Sequence, residues 1–224
     1  MLKYLNHIEL FMQKQFWGYK NMIKPTFYNL SDDKRKRVLQ AILEEFADTD
    51  SEKISINRII KRANISRGSF YQYFDDKVDL VEVLFLTLVD MNIKDAYRAL
   101  SESDGDIFAL YNSFLEILFR LSKDEFYNNI MRNLCRSMYS TDSLIAEYVQ
   151  TRCRGFDELN QLAQCVNRSK LRLSTDEEMV ALHQIFVAIL RDCANRLYVL
   201  DVSAAVLKSD FDRKIEIIKY GALL

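Results

Sequence analysis

Residues 55–80 read SINRIIKRANISRGSFYQYFDDKVDL, and this stretch decides the fold. Ser55 can cap a short helix whose inner side is Ile56, Ile59, Ile60 and Ala63. The chain must then turn at Asn64, a residue type that can enter the left-handed conformation that ends a helix, though less easily than glycine. Ser66 caps a second short helix running to about Phe74. Two short helices separated by so tight a turn make a helix-turn-helix. At about 100° per residue, Phe70 and Phe74 fall on one side of the second helix and must face a core. Gly68, Ser69 and Gln72 lie on the opposite side, flanked by Tyr71 and Tyr73. A face that carries a glycine can approach base edges, phenols can donate to phosphates, and Arg67 has the reach for a guanine edge. Lys77, one turn into the next helix, can meet a phosphate backbone where the chain leaves a groove.

Outward from this stretch the helical period continues. Ser31 opens a helix with Asp32 and Asp33 in its first turn and Leu39, Ile42, Leu43 and Phe46 on its inner face. Lys34 to Arg37 reads as plain charged surface. Asp75 and Asp76 start a long helix through Leu80, Leu84, Leu88 and Met91 to about Leu100. Phe108, Tyr111, Leu115, Leu118 and Phe119 mark another, and two more are expected over 125–139 and 143–166, Gly155 bending the second. Ser174-x-x-Glu177 fits a capping box for a helix to about Leu200. The last helix is expected over 203–220, with Gly221 as its stop. The chain has 224 residues with 5 Gly and 1 Pro, so helices joined by short polar loops are expected. Its 49% hydrophobic content suffices for a sizeable core.

The net charge is −1, and only the distribution of charge is informative. Lys53, Arg58, Lys61, Arg62 and Arg67 occur between residues 53 and 73 with no acid among them. From Val81 onward acids outnumber bases by 21 to 17. A basic end on a mildly acidic body suits a protein that meets phosphate with one end only, although a solvated helix face has the same composition. The longest apolar stretch, Met179–Leu190, is far shorter than the roughly 20 residues a membrane span needs. Residues 1–21 have a broken apolar pattern and no small-residue cleavage site, so no signal peptide is expected. Met22 is expected as the translation start, leaving residues 1–21 dispensable. Cys135, Cys153, Cys165 and Cys193 form no CxxC and are expected as reduced thiols of a cytoplasmic protein.

The stretch resembles the signature of the TetR family of transcriptional regulators. The matching residues are Ser55, Ala63-Asn64-Ile65-Ser66, Gly68-Ser69-Phe70-Tyr71-Gln72-Tyr73-Phe74, Lys77 and Leu80. Ile60 stands where the family has a small residue, and Asn64 where it has a turn glycine. The resemblance covers about residues 31–80; the rest agrees in length and helical layout. It implies an all-α fold: an N-terminal three-helix DNA-binding domain with a helix-turn-helix, joined by a long helix to a larger helical bundle for ligand binding and dimerisation. The expected division is an N-terminal extension over 1–30, the DNA-binding domain over 31–78 and the bundle over 79–224. Carried over residue by residue, phosphate contacts fall on Ser55, Tyr71, Tyr73 and Lys77, and base-facing positions on Asn57, Arg67, Gly68 and Gln72. Ser66 and Ser69 complete the expected DNA-binding set.

Beyond Leu80 there is no nucleophile motif, phosphate loop or metal cluster, so no enzyme, cofactor or metal is expected. The resemblance implies a small-molecule pocket among the helices, for which Phe108, Tyr111, Phe114, Phe126, Tyr127, Met131 and His183 are candidates. Each aromatic also suits plain core, and His183 a hydrogen-bonded core position. The Met179–Leu190 helix is apolar all round and must be covered on more than one side. Together with the last helix it is expected to form a homodimer interface through Phe186, Leu190, Phe211, Ile215 and Ile218. The expected function is a repressor released from a palindromic double-stranded operator by a hydrophobic or amphipathic effector. The alternative is a TetR-like helical protein that acts through a protein partner.

Overall fold

In the computed structural model, residues 23–138, 144–151, 157–173 and 175–222 are described. Residues 1–21, and with them the expectation about the start at Met22, lie outside the described residues, as does Cys153. The described helices are α1 (Pro25–Tyr28), α2 (Asp32–Asp48), α3 (Ile56–Ala63), α4 (Arg67–Tyr73), α5 (Val78–Glu102) and α6 (Ile107–Ser122). They continue as α7 (Glu125–Ser137), α8 (Leu144–Thr151), α9 (Asp157–Gln164), α10 (Asp176–Tyr198) and α11 (Ala204–Ala222). Described residues of Met1–Ile93 and Arg136–Asp157 form one compact unit, and those of Lys94–Cys135 and Glu158–Leu224 a second; α5 contributes to both.

In the first unit α2 packs on α3, α3 on α4, and α1 on α4. Leu39, Ile42, Leu43, Phe46, Ile59, Ala63, Phe70 and Phe74 are buried, as the helical period requires. Ile56 and Ile60 are half-buried. Ser31 begins α2 through its backbone alone, its carbonyl accepting from the Arg35 amide at 2.9 Å. Arg35 departs from the charged-surface expectation for 34–37. It is buried, and its guanidinium donates to the Tyr28 carbonyl at 2.7 Å and the Asp32 carboxylate at 2.8 Å. Residues 23–30, which composition sets apart as part of an extension, are built into this unit: Ile23 and Phe27 are buried, and Phe27 lies 5.2 Å from the Phe74 ring. Pairing with a core three helices away is invisible to a local composition change.

The second unit is built on α6, α10 and α11, each packed on the other two. Its fully buried side chains include Leu115, Ile130, Phe186, Tyr198, Leu207 and Phe211. The Tyr198 hydroxyl donates to the Leu118 carbonyl at 2.7 Å, tying the end of α10 to α6. The capping box of α10 sits one residue later than the sequence frame. Thr175 accepts from the Glu178 amide at 3.2 Å, and the Glu178 carboxylate accepts from the Thr175 amide at 3.0 Å. Both frames satisfy the Ser/Thr-x-x-Glu pattern, and the extended backbone of Thr175 decides between them. Gly221 lies inside α11 and does not stop it; a Cβ there would meet nothing within 4 Å. The expected helix over 143–166 is described as α8 and α9, and the bend at Gly155 lies outside the described residues.

Gly105 carries the turn between α5 and α6. Its φ is +75°, its amide donates to the Leu100 carbonyl at 2.8 Å, and its carbonyl accepts from the Asn167 amide at 2.8 Å. A Cβ at this position would stand 2.6 Å from the Asn167 nitrogen. Both the left-handed backbone and the close approach require glycine here. Among the described residues no helix is long and apolar enough to cross a membrane.

Candidate nucleic-acid interface

The turn between α3 and α4 is shaped by three local devices. Ser55 accepts from the Arg58 amide at 3.4 Å, Asn64 adopts φ 52° and ψ 55°, and Ser66 accepts from the Ser69 amide at 3.0 Å. The left-handed Asn64 lets its amide and that of Ile65 reach the last carbonyls of α3, at 3.3 Å to Lys61 and 3.2 Å to Ile60. With that turn set, α4 buries Phe70 and Tyr73 and leaves Arg67, Gly68, Tyr71 and Gln72 exposed. Gly68 is open: a Cβ there would meet only the Ser66 hydroxyl, at 3.9 Å.

The exposed side chains are connected. Asn57 on α3 accepts from Arg67 Nη1 at 3.1 Å, and the Tyr71 hydroxyl accepts from Arg67 Nη2 at 3.4 Å. The same guanidinium lies 5.7 Å from the Tyr71 ring centroid. Ser66 and Ser69 share a hydroxyl hydrogen bond of 2.9 Å at the start of α4. Asn57, Ser66, Arg67, Gly68, Tyr71 and Gln72 thus occupy exposed positions of the two helices, with Ser55, Ser69 and Lys77 half-exposed. Tyr73 differs from the helical-wheel expectation. It is buried, its ring 6.2 Å from Phe27, and the Lys34 ammonium stands 5.6 Å from its centroid. The segment before α2 covers a side that the isolated motif would leave open.

The basic cluster is largely committed inside the unit. Glu45 of α2 is fully buried and accepts from Arg58 Nε at 2.9 Å and Nη2 at 2.6 Å, and from the Ser55 amide at 2.8 Å. Arg62 bridges Glu45 at 3.4 Å and Asp48 at 2.6 Å, and Lys53 pairs with Asp50 at 3.3 Å. Hydrogen bonding to Glu45 raises the pKa of Arg58 above its ordinary value. A buried carboxylate needs such partners, so Arg58 and Arg62 hold α3 against α2 before they offer charge to anything else. Reading the sequence for basic residues alone misses Glu45. Its signal was a lone acid at helical spacing within the apolar face Leu39–Ile42–Leu43–Phe46.

In the second unit the expected ligand residues separate into groups. Tyr111 stacks on Phe186 at 3.9 Å and meets Phe114 edge-on at 5.7 Å, while Phe108 meets Phe186 at 5.7 Å. The Tyr111 hydroxyl hydrogen-bonds His183 Nδ1. Burial raises the Tyr111 pKa and partial desolvation lowers that of His183, whose side chain is exposed and so departs from the core position expected of it. Phe126 and Tyr127 pair with each other at 5.3 Å, and burial pushes the Tyr127 hydroxyl up to about 12. Met131 packs elsewhere, against Cys135, Ala194 and Tyr198. Two surface clefts have other linings. One of about 630 Å³ includes Asp95, Arg98, Glu116 and Arg120, and one of about 330 Å³ includes Tyr97, Gly105, Cys165 and Asn167. Among the described residues no cluster of three His, Cys, Asp or Glu could hold a metal ion.

Of the expected dimer residues, Phe186, Phe211 and Ile215 are 0%, 1% and 6% exposed in the single chain and pack in the core of their own unit. Leu190 and Ile218 are half-buried. The large apolar side chains that α10 and α11 leave exposed are Val180, Ile185, Val187, Val206, Ile217 and Tyr220.

Comparison with known proteins agrees with this geometry. Residues 38–84 match the family model "Bacterial regulatory proteins, tetR family", and residues 106–222, more than half of the chain, match "Tetracyclin repressor-like, C-terminal domain". An uncharacterized HTH-type transcriptional regulator of Bacillus subtilis (strain 168), YvdT, is 26% identical over 90 residues, 40% of this chain and 46% of the relative. The match thus spans less than half the length of that curated relative. Among solved structures, the SmeT–triclosan complex has a TM-score of 0.53 at 19% identity, covering 85% of this chain and 92% of SmeT. NalD, the secondary repressor of the MexAB-OprM multidrug efflux pump in Pseudomonas aeruginosa, has a TM-score of 0.50 at 24% identity, covering 81% of this chain and 95% of NalD. At these identities the structural likeness speaks to the fold alone. With an N-terminal helix-turn-helix matched by one family model and most of the remaining chain by the other, the protein belongs to the TetR family of bacterial regulatory proteins.

Proposed function

We propose that the protein is a homodimeric transcriptional repressor that binds a palindromic DNA operator and leaves it when a small hydrophobic or amphipathic molecule binds the second unit. The observation that carries the reading is the division of α4. Phe70, Tyr73 and Phe74 anchor it, while Arg67, Gly68, Tyr71 and Gln72 face outward, and Asn57 and Tyr71 hold Arg67 ready. Arg67 and Gln72, with Asn57 and Gly68, read base edges; Ser55, Tyr71 and Lys77 meet phosphates, with Ser66 and Ser69 shaping the helix start. The burial of Tyr73 leaves it at most a contact by its hydroxyl edge.

The dimer forms through the outward faces of α10 and α11, where Val180, Ile185, Val187, Ile217 and Tyr220 are otherwise left to water. A two-fold axis between them matches half-sites about one DNA turn (~34–36 Å) apart. The effector enters the second unit, and because Phe108 and Tyr111 close on Phe186, with Phe114 against Tyr111, it must part these rings to bind there. SmeT, which shares the fold, was solved with triclosan, and this supports an apolar effector. Since α5 belongs to both units, a shift in it is the route by which binding reaches α4.

Selection of the purified protein on random duplexes at low salt tests the reading. An enriched inverted repeat is expected, with affinity falling steeply as salt rises. Lys77→Ala should weaken all sequences alike and lower the salt slope by roughly one unit per chain, whereas Arg67→Ala or Gln72→Ala should relax base preference. Enrichment of no motif refutes the repressor reading in favour of action through a protein partner.

A further inference from the structure

We propose that Lys24 and Thr26 are positioning residues that latch the end of α4 and thereby set its pose for DNA; this rests on the DNA-reading role of α4. Seven residues are too few for a helix to persist unaided, and the final carbonyls of any helix lack intrahelical donors. In α4 the last three of these carbonyls are each met by the segment before α2. The Lys24 ammonium donates to the Tyr71 carbonyl at 2.8 Å, the Thr26 hydroxyl donates to the Gln72 carbonyl, and the Lys24 amide donates to the Tyr73 carbonyl at 3.3 Å. The Lys24 ammonium also pairs with Asp75 at 2.5 Å, just past the helix end, where a positive charge meets the negative end of the helix dipole. Buried Ile23 and Phe27 anchor the segment on either side of these donors, with Phe27 against Tyr73 and Phe74.

The latch uses only backbone atoms of Tyr71 and Gln72. Their side chains stay on the exposed face, so the helix is held from behind while its outward surface remains open. The two donors lie 47 and 46 residues from their acceptors, so the recognition helix is fixed by chain that lies outside the helix-turn-helix itself. Lys24 and Thr26 are at the surface, and Thr26 is exposed, so their replacement leaves the core intact.

The test uses the full chain with Thr26→Val, which removes the donor at nearly constant shape, Thr26→Ser, which keeps it, and Lys24→Met. Hydrogen exchange of the α4 amides should quicken by roughly fivefold to tenfold in Thr26→Val and Lys24→Met, the range of one net hydrogen bond. It should stay at the parent rate in Thr26→Ser, with α2 and α5 unchanged throughout. On a duplex selected by the parent protein, the first two variants should lose affinity by a similar factor, while binding to a scrambled duplex and the salt slope stay constant. Unchanged exchange in α4 overturns the latch, as does acceleration shared equally by α2 and α5. Equal loss on both duplexes with a lower salt slope also overturns it, because Lys24 would then be a direct phosphate contact. If the parent enriches no duplex, the DNA-reading role fails while the exchange measurement still decides the latch.

Discussion

Phe186 and Ile185 are neighbours on α10 with opposite environments, and replacing each in turn separates the core of the second unit from its outward face. Phe186 is fully buried, stacked on Tyr111 at 3.9 Å and edge-on to Phe108 at 5.7 Å. Phe186→Ala removes a ring whose space the packed helices cannot refill. The expected cost is about 3–5 kcal/mol, the usual range for such truncations. For a chain of this size each kcal/mol moves the melting temperature by roughly 2–4 °C, so a fall of about 6–20 °C is expected. Ile185 is 48% exposed in the single chain, and Ile185→Ala should leave the packing of its own unit intact. Ile185→Glu should instead shift the mass by light scattering from dimer to monomer. Melts must be compared at one protein concentration, because association between chains would make the melting temperature concentration-dependent. A Phe186→Ala protein that melts within about 2 °C of the parent yet has become monomeric would refute the assignment of Phe186 to the core.

Gly105→Ala forces a left-handed backbone on a residue with a Cβ and drives that carbon to 2.6 Å from the Asn167 nitrogen, so a loss above about 1 kcal/mol is expected in chemical denaturation. A neutral result would show that the turn relaxes freely. Partial desolvation lowers the pKa of His183 below its ordinary value near 6.5. A base whose folded pKa is depressed makes the unfolded chain take up the proton first, so stability should fall as pH drops below about 6.5. His183→Gln should flatten the melting-temperature profile between about pH 7 and pH 5.5; an unaltered profile would mean that another group governs it. Thr175→Ala should cost about 1 kcal/mol by removing one arm of the capping box of α10; an unchanged stability would show that this cap does not hold the helix start.

The reach of the sequence follows the reach of the forces. Ser55 and Ser66 as caps, the left-handed Asn64 and the burial of Phe70 and Phe74 were legible because each depends on atoms within about one helical turn. So were the all-helical class and the exposed positions Arg67, Gly68 and Gln72, which follow from the period of 3.6 residues. Periodicity says that Met179–Leu190 within α10 is apolar all round, yet which arc meets α6 is settled only when the helices pack, and packing took Phe186 inward and left Val180, Ile185 and Val187 outside. Arg58 and Arg62 read as free cations until α2 brings a buried Glu45 beside them. Tyr73 reads as a phenol for phosphate until Phe27, 46 residues earlier in the chain, covers its ring. These pairings join distant parts of the chain. They form because a buried charge, a bare carbonyl and an open ring each lower their free energy by finding a partner, and only the folded chain determines which partner is near.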